Sequence, residues 1–249
     1  MAITSVIRLA DVGGKTAGTT LSSSTGTTVS PGEICFVAVA SDNLGTVTGP
    51  TYEHIKVNFI NGEVNPFTKI CEYSNARGAA AGGVTVSLWY CQATTTISSA
   101  NSNNSIQVTF ASSIAAKVFQ SFKFNVGAGK MLRLVEASTL GVTASPGPGS
   151  MTSSTLPNKE YLCIRVIGCE DAQTALSAGE TNWSSFNGMT GTTGASAATN
   201  MRLWPQYIIQ TTSLVTSTGG GTWNSADMAS ILAIFEEVSF DTNDSGYMF

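Results

Sequence analysis

The sequence predicts an all-β protein made of two tandem, related antiparallel β-sandwich halves packed together, residues 1–126 and residues 127–249. Three observations carry this. Residues 83–92 alternate with the period of two that a pleated strand imposes: Val84, Val86, Leu88 and Tyr90 fall on one face, Thr85, Ser87, Trp89 and Cys91 on the other. A degraded echo of that run stands at residues 200–209, and both copies carry Leu-Trp followed by an aromatic, Tyr90 and Tyr207. Turn-forming residues recur every ~8–12 positions, the spacing of sandwiches rather than of βαβ units, so each half is expected to be jelly-roll or Ig-like.

Taken in order, residues 6–10 (Val6, Ile7, Arg8, Leu9, Ala10) answer residues 131–135 (Met131, Leu132, Arg133, Leu134, Val135). Each is followed by a Thr/Ser/Gly-rich stretch that ends at Pro31 or Pro157. The apolar runs 34–40 and 161–167 correspond next. Being near-continuous and rich in β-branched side chains, they read as central strands buried on both faces. Residues 52–60 alternate, with Ile55, Val57 and Phe59 inward and His54, Lys56 and Asn58 outward, and the second half shortens or loses this strand. Residues 67–73 lead through the small-residue loop 77–83 into the first Leu-Trp strand. The counterpart runs from Trp183 to Phe186 and through the loop 188–194 to Leu203 and Trp204. Residues 105–110 and 115–126 close the first half. Residues 225–238 close the second, and although Ala and Leu there favour a helix, their match to residues 117–124 makes them a strand. The boundary falls at Gly127-Ala128-Gly129, and residues 241–249 form a short acidic tail.

Composition bounds the function. Charged residues are 11% of the chain, against a typical ~25%, and the net charge is −4. There is no broad cationic field, which argues against binding a phosphate backbone; nucleic acid is not an expected partner. No basic region precedes a clean apolar core at the N-terminus, and no run of ~18 apolar residues follows, so neither a secretion signal nor a membrane span is expected. The five cysteines, Cys35, Cys71, Cys91, Cys163 and Cys169, are an odd number without a C-x-x-C pair, several of them inside apolar runs. Buried free thiols are the reading, with a disulfide between strands as the alternative.

The chemical motifs dissolve on inspection. Residues 127–130 resemble the end of a phosphate-binding loop, but Phe124 and Met131 stand where that loop needs a glycine and a Ser or Thr. The tail from Asp241 to Gly246 matches the front of a calcium loop without the position that supplies the bidentate Glu; a divalent ion at a subunit contact is the alternative to an acidic tail. His54 is the only histidine, and no nucleophile-elbow motif surrounds any serine. Glu33, Glu53, Glu63 and Glu72 occur singly, with nothing to set their pKa values apart. No catalytic, cofactor-binding or metal residue is therefore assigned, no cofactor is expected, and the protein reads as not an enzyme. Of the four tryptophans, Trp89 and Trp204 are expected in the core. Trp183 and Trp223, set among Asn, Ser, Thr and Gly, are the candidates for an exposed sugar-stacking platform.

The residues from Val37 to Asn43, Glu72-Tyr73-Ser74-Asn75 with its Gly/Ala loop, Val84 to Tyr90 with the following Ala-Thr-Thr-Thr, and the closing Trp223 to Ala229 resemble β-sandwich proteins encoded in structural-gene regions of tailed bacteriophages. The resemblance spans most of the chain but contains no diagnostic functional motif. It implies a virion structural protein, made in the host cytoplasm without a signal peptide. The favoured role is capsid decoration or cement, with partners in copies of itself and in other virion proteins such as the major capsid protein. The Thr/Ser/Gly stretch 13–30 would then serve as an arm for lateral contacts. A tail, baseplate or fibre component with a receptor-binding role is the alternative, and a carbohydrate-binding or adhesive module that recognises a host surface glycan is the further one.

Overall fold

The computed structural model of the chain describes residues 6–44, 54–59, 65–75, 83–98, 105–170, 180–186, 190–192, 200–221 and 223–239. Among these the fold is all-β and antiparallel. The strands are β1 (Val6–Gly14), β2 (Gly18–Ser24), β3 (Ile34–Asp42), β4 (Ile55–Phe59), β5 (Thr68–Asn75), β6 (Val84–Gln92), β7 (Ser105–Ile114) and β8 (Lys117–Phe124), then β9 (Lys130–Ser145), β10 (Met151–Thr152), β11 (Lys159–Glu170), β12 (Ser184–Ser185), β13 (Thr190–Gly191), β14 (Met201–Thr212), β15 (Thr216–Ser217) and β16 (Ala226–Ser239).

They form two large sheets and two small ones. The first large sheet has the order β1-β8-β3-β6-β5, and the second has the order β12-β14-β11-β16-β9, with β13 also paired to β14. These orders correspond strand for strand. The segments matched in the sequence, β1 with β9, β3 with β11, β6 with β14, β8 with β16 and β5 with β12, occupy equivalent places. The covering layers differ, being the three-stranded β2-β7-β4 over the first sheet and the pair β10-β15 over the second.

The two large sheets lie face to face. Between them sits the largest hydrophobic cluster, in which Phe36, Ala38, Ala40, Val84, Val86, Leu88, Phe122 and Phe124 of one sheet meet Leu162, Ile164, Val166, Met201, Leu203, Ile231 and Phe235 of the other. Phe36 is T-shaped to Phe235 with ring centroids 5.2 Å apart, and Phe186 stacks on Phe122 at 3.5 Å. The opposite face of the first sheet, with Cys35, Val37, Val39, Trp89 and Cys91, packs on Ile55, Val57, Ile106 and Val108 of the three-stranded layer. A strand enclosed on both faces cannot show polar/apolar alternation, which is why β3 reads as a continuous apolar run. At ~1.5–3 kcal/mol per fully buried large apolar side chain, the cluster between the sheets is the strongest single cohesive element of the fold.

Several local expectations meet their structures here. β16 is a strand, as its match to β8 requires. β4 alternates with Ile55, Val57 and Phe59 buried and Lys56 and Asn58 exposed. All five cysteines are free and buried. Residues 127–130 form the turn between β8 and β9, where Lys130 N–H donates to Gly127 O at 3.0 Å and Gly129 takes a positive φ of 67°. The stretch 13–30 is not an arm. It contains β2, which pairs with β7 from Gly18 to Ser24, and Val29, which is fully buried and bridges Ile97. Its Thr/Ser composition reflects the outward face of a covering strand. Whether the second half lacks a counterpart of β4 turns on residues 171–179, which lie outside the described residues, as do Glu53, Glu63, most of the loops 77–83 and 188–194 and the acidic tail.

Candidate functional site

Trp89 and Trp204 project from equivalent strands toward the outer faces of the two large sheets, 5% and 4% exposed. Each indole N–H is taken up by a serine: Trp89 Nε1 donates to Ser87 Oγ at 2.9 Å and Trp204 Nε1 to Ser185 Oγ at 3.1 Å. They are core residues, as their matched positions imply. Trp183 is half-buried against the cluster that holds Tyr161, Leu232 and Ile234.

Trp223, expected at the surface, is buried. Its ring centroid lies 5.8 Å from that of Trp204, and its Nε1 donates to Gly220 O at 2.7 Å. The reason is the Gly219-Gly220-Gly221 turn, whose φ values of 79°, 57° and 72° are all in the left-handed region. These glycines fold the polar segment over the indole, and a Cβ on Gly219 would stand 2.2 Å from Pro148 Cγ. With Trp223 covered, the two loop tryptophans do not make a paired sugar-stacking platform.

His54 is half-buried at the start of β4, not outward on the solvated face. The carboxylate of Glu72 organises this corner, accepting the main-chain N–H of His54 at 2.9 Å and of Ile55 at 3.2 Å. Burial, with help from the Lys69 charge, lowers the imidazole pKa. Glu33, the other of the four isolated glutamates among the described residues, is paired: Lys123 Nζ lies 2.7 Å from Glu33 Oε2 in a nearly enclosed ion pair, and Ser30 N–H donates to the same oxygen at 2.6 Å. Both acids are thus committed to holding strand ends.

Above that ion pair is a cleft of about 730 Å³, lined by residues 30–33, Gln92 and residues 125–130. Gln92 Nε2 donates to Lys130 O at 3.0 Å across it, and Lys130 Nζ donates to Ser239 Oγ at 2.8 Å. With Glu33 and Lys123 neutralising each other, the chemistry on offer is that of amides, carbonyls, a hydroxyl and the Lys130 amino group. The glycines that resemble a phosphate loop are the rim of this cleft.

Two charged groups were not singled out by the sequence reading. Arg165, in the middle of β11, is fully buried on the outer face of its sheet. Its guanidinium donates to Ser217 O at 3.1 Å, Pro148 O at 3.3 Å and Gly149 O at 3.0 Å, pinning two loops to the strand. Desolvation lowers its pKa to about 10, with Glu180 acting the other way. That carboxylate in turn accepts from Ser217 Oγ, Thr218 N–H and Gly219 N–H. The second group is the trio Asp42, Glu170 and Asp227. Glu170 is the direct cross-strand partner of Asp227, and the charges of Asp42 and Asp227 both act on it. Among the described residues no group of three His, Cys, Asp or Glu is arranged to hold a metal ion. A charge inside an apolar run, and two acids at matched strand ends, were the available signals.

No protein-family model matches the chain, and no curated protein matches it. The class that fold and surfaces define is that of layered antiparallel β-sandwich proteins, whose charged side chains at the sites above are spent on internal ties.

Proposed function

We propose that the chain is a non-enzymatic structural protein of a bacteriophage particle, set in many copies on the capsid as a decoration or cement protein. The observation that carries this reading is the build of its flanks. The four-layer body ends in the 16-residue edge strand β9, which pairs with β16 on one side only among the described residues and exposes Leu134 and Val135. Ile7, 37% exposed, lies on the edge strand β1 at the opposite flank. A weakly charged body with long strand edges is suited to lateral contact with neighbours. Such contacts cohere by apolar burial and main-chain pairing, each well-formed one burying more than ~1,000 Å². The phage-like texture of residues 37–43, 72–75 and 84–96 points the same way. With residues 13–30 built into the body, cohesion falls to these edges and not to an arm.

The test is electron microscopy of purified particles labelled with antiserum raised against the recombinant chain. Dense label over heads is the expected result. Label confined to one end of the particle would replace decoration by a tail or receptor-binding role. An absence of label would overturn the virion reading, and a glycan array with Trp183→Ala as control would then test the adhesive one.

A further inference from the structure

The first large sheet brings two of the five thiols together. Cys35 and Cys91 are direct cross-strand partners in the antiparallel ladder of β3 and β6. Partners in such a ladder project to the same face, and both side chains belong to the buried cluster under β2-β7-β4. Burial raises the pKa of Cys35, and the charge of Cys91 beside it raises it further. The other three cysteines stand apart. Cys71 faces the cluster between the large sheets, Cys163 lies opposite Ile208 and Ile234, and Cys169 lies opposite Arg202 and Met228. The backbone sets the spacing of the Cys35–Cys91 pair. Ala93 N–H donates to Glu33 O at 2.9 Å just beyond the ladder, and because hydrogen-bonded and non-hydrogen-bonded pairs alternate, Cys35 and Cys91 form a hydrogen-bonded pair. Such a pair holds its Cα atoms ~5.5 Å apart, inside the ~4.4–6.8 Å that disulfides span. The Cβ atoms of cross-strand partners, ~4.5–5.5 Å apart, must close to ~3.5–4.5 Å. That movement is small, and the strand ends allow it. Cys35 is the second residue of β3 and Cys91 the last but one of β6, while β5 stops at Thr68 opposite Tyr90. Among the described strands the Cys91 end of β6 is therefore held on one side only.

We infer that Cys35 and Cys91 form a disulfide site, whose two thiols close to one cystine when the chain folds in the presence of a small-molecule disulfide such as glutathione disulfide. One cysteine sulfur attacks the reagent and forms a mixed disulfide, releasing one glutathione thiol. The other then attacks the protein sulfur of that mixed disulfide, and the second glutathione leaves as a thiol. Each cysteine gives its proton to a departing glutathione sulfur, so two protein thiols are oxidised and one glutathione disulfide is reduced. Burial shuts the reagent out of the finished fold. The exchange therefore belongs to folding, while β2-β7-β4 has yet to cover this face, and a chain folded under reduction keeps the five thiols described above. Once closed, the bridge restricts the unfolded chain between β3 and β6 and so favours the folded state.

The experiment is refolding of the full chain from urea, after complete reduction, either in a mixture of glutathione and glutathione disulfide or in a reductant alone. Free thiols are then counted in denaturant, and a proteolytic digest made without reduction is mapped by mass spectrometry. The oxidised product is expected to keep only the thiols of Cys71, Cys163 and Cys169 and to yield one linked peptide pair, Cys35 with Cys91. Its urea midpoint is expected to lie above that of the chain refolded under reduction. In Cys91→Ala the linked pair and the difference between the two midpoints are both expected to vanish. The linkage map of the unsubstituted chain decides the matter even if that variant fails to fold. Five thiols retained after oxidative refolding, a bridge between any other cysteines, or glutathione left attached to Cys35 or Cys91 would overturn the inference. A chain that regains its tryptophan fluorescence only under reduction would overturn it as well, because the bridge would then not fit the fold.

Discussion

Arg165 offers the sharpest quantitative test of how the second half is held together. Lowering its pKa from 12.5 to about 10 means that the site disfavours the charge; at ~1.4 kcal/mol per pKa unit the cost is about 3 kcal/mol. Three hydrogen bonds from the guanidinium to Ser217 O, Pro148 O and Gly149 O oppose this, each contributing ~1.5–3 kcal/mol as bonds from a charged donor. The hydrogen bonds outweigh the desolvation, so Arg165 stabilises the fold on balance. Arg165→Ala leaves a cavity and three enclosed carbonyls without a donor, and is expected to cost about 3–5 kcal/mol. Arg165→Met keeps the packing of the stem and removes the buried charge, so its expected cost is lower, about 1–3 kcal/mol. The assay is urea unfolding followed by tryptophan fluorescence, since the enclosed Trp204 and Trp223 report on this region. If Arg165→Ala costs less than about 1 kcal/mol, or Arg165→Met is more stable than the native chain, the view that this guanidinium ties the two loops to β11 is wrong.

Two further perturbations follow from the packing. Alanine is ordinarily better than glycine inside a strand, yet a Cβ on Gly168 would stand 2.4 Å from Val86 Cγ1 and 3.0 Å from Ala40 Cβ of the facing sheet. Gly168→Ala is therefore expected to destabilise by about 1–3 kcal/mol in the same assay, and a neutral or stabilising result would mean that the sheets are not in close contact there. The five thiols are all buried, and desolvation pushes Cys71 up to about 11 and Cys91 and Cys163 to about 12. A disulfide-exchange reagent in mild alkali is expected to modify none of them in the native chain and all five in denaturant; rapid modification of even one in the native state would contradict the burial.

Much of the fold was legible because a strand writes its two faces into the sequence. The alternation from Val84 to Cys91 separates the residues that face the second sheet from those that face the covering layer. Matching residues 117–124 to residues 227–235 decided for a strand where local propensity favoured a helix, since packing between sheets overrides the preference of Ala and Leu. What period two does not encode is which layer each face meets. The stretch 13–30 is polar because β2 covers the body and turns one face outward, and composition alone does not distinguish that from an extended arm. Trp223 misled for a related reason. Its Gly-rich surroundings are the means of wrapping it, and three left-handed glycines close a turn over an indole as readily as they expose one. The internal ties were illegible because Arg165 and Glu180 are brought together only by tertiary packing.

The placement of the main apolar cluster between the two halves has a consequence for how the chain comes off the ribosome. The face of the first sheet that carries Phe36, Val86, Leu88, Phe122 and Phe124 is complete once β8 has emerged, while its cover arrives with β11, β14 and β16. At ~5–20 residues per second, that greasy surface stays open to solvent for on the order of ten seconds. During this interval that uncovered face is available to the same face of another unfinished chain. Slow translation of crowded messages favours sheets that cover one another between chains, whereas prompt arrival of the second half seals each molecule by itself. Yield of well-formed protein is thus set by a race between elongation and encounter.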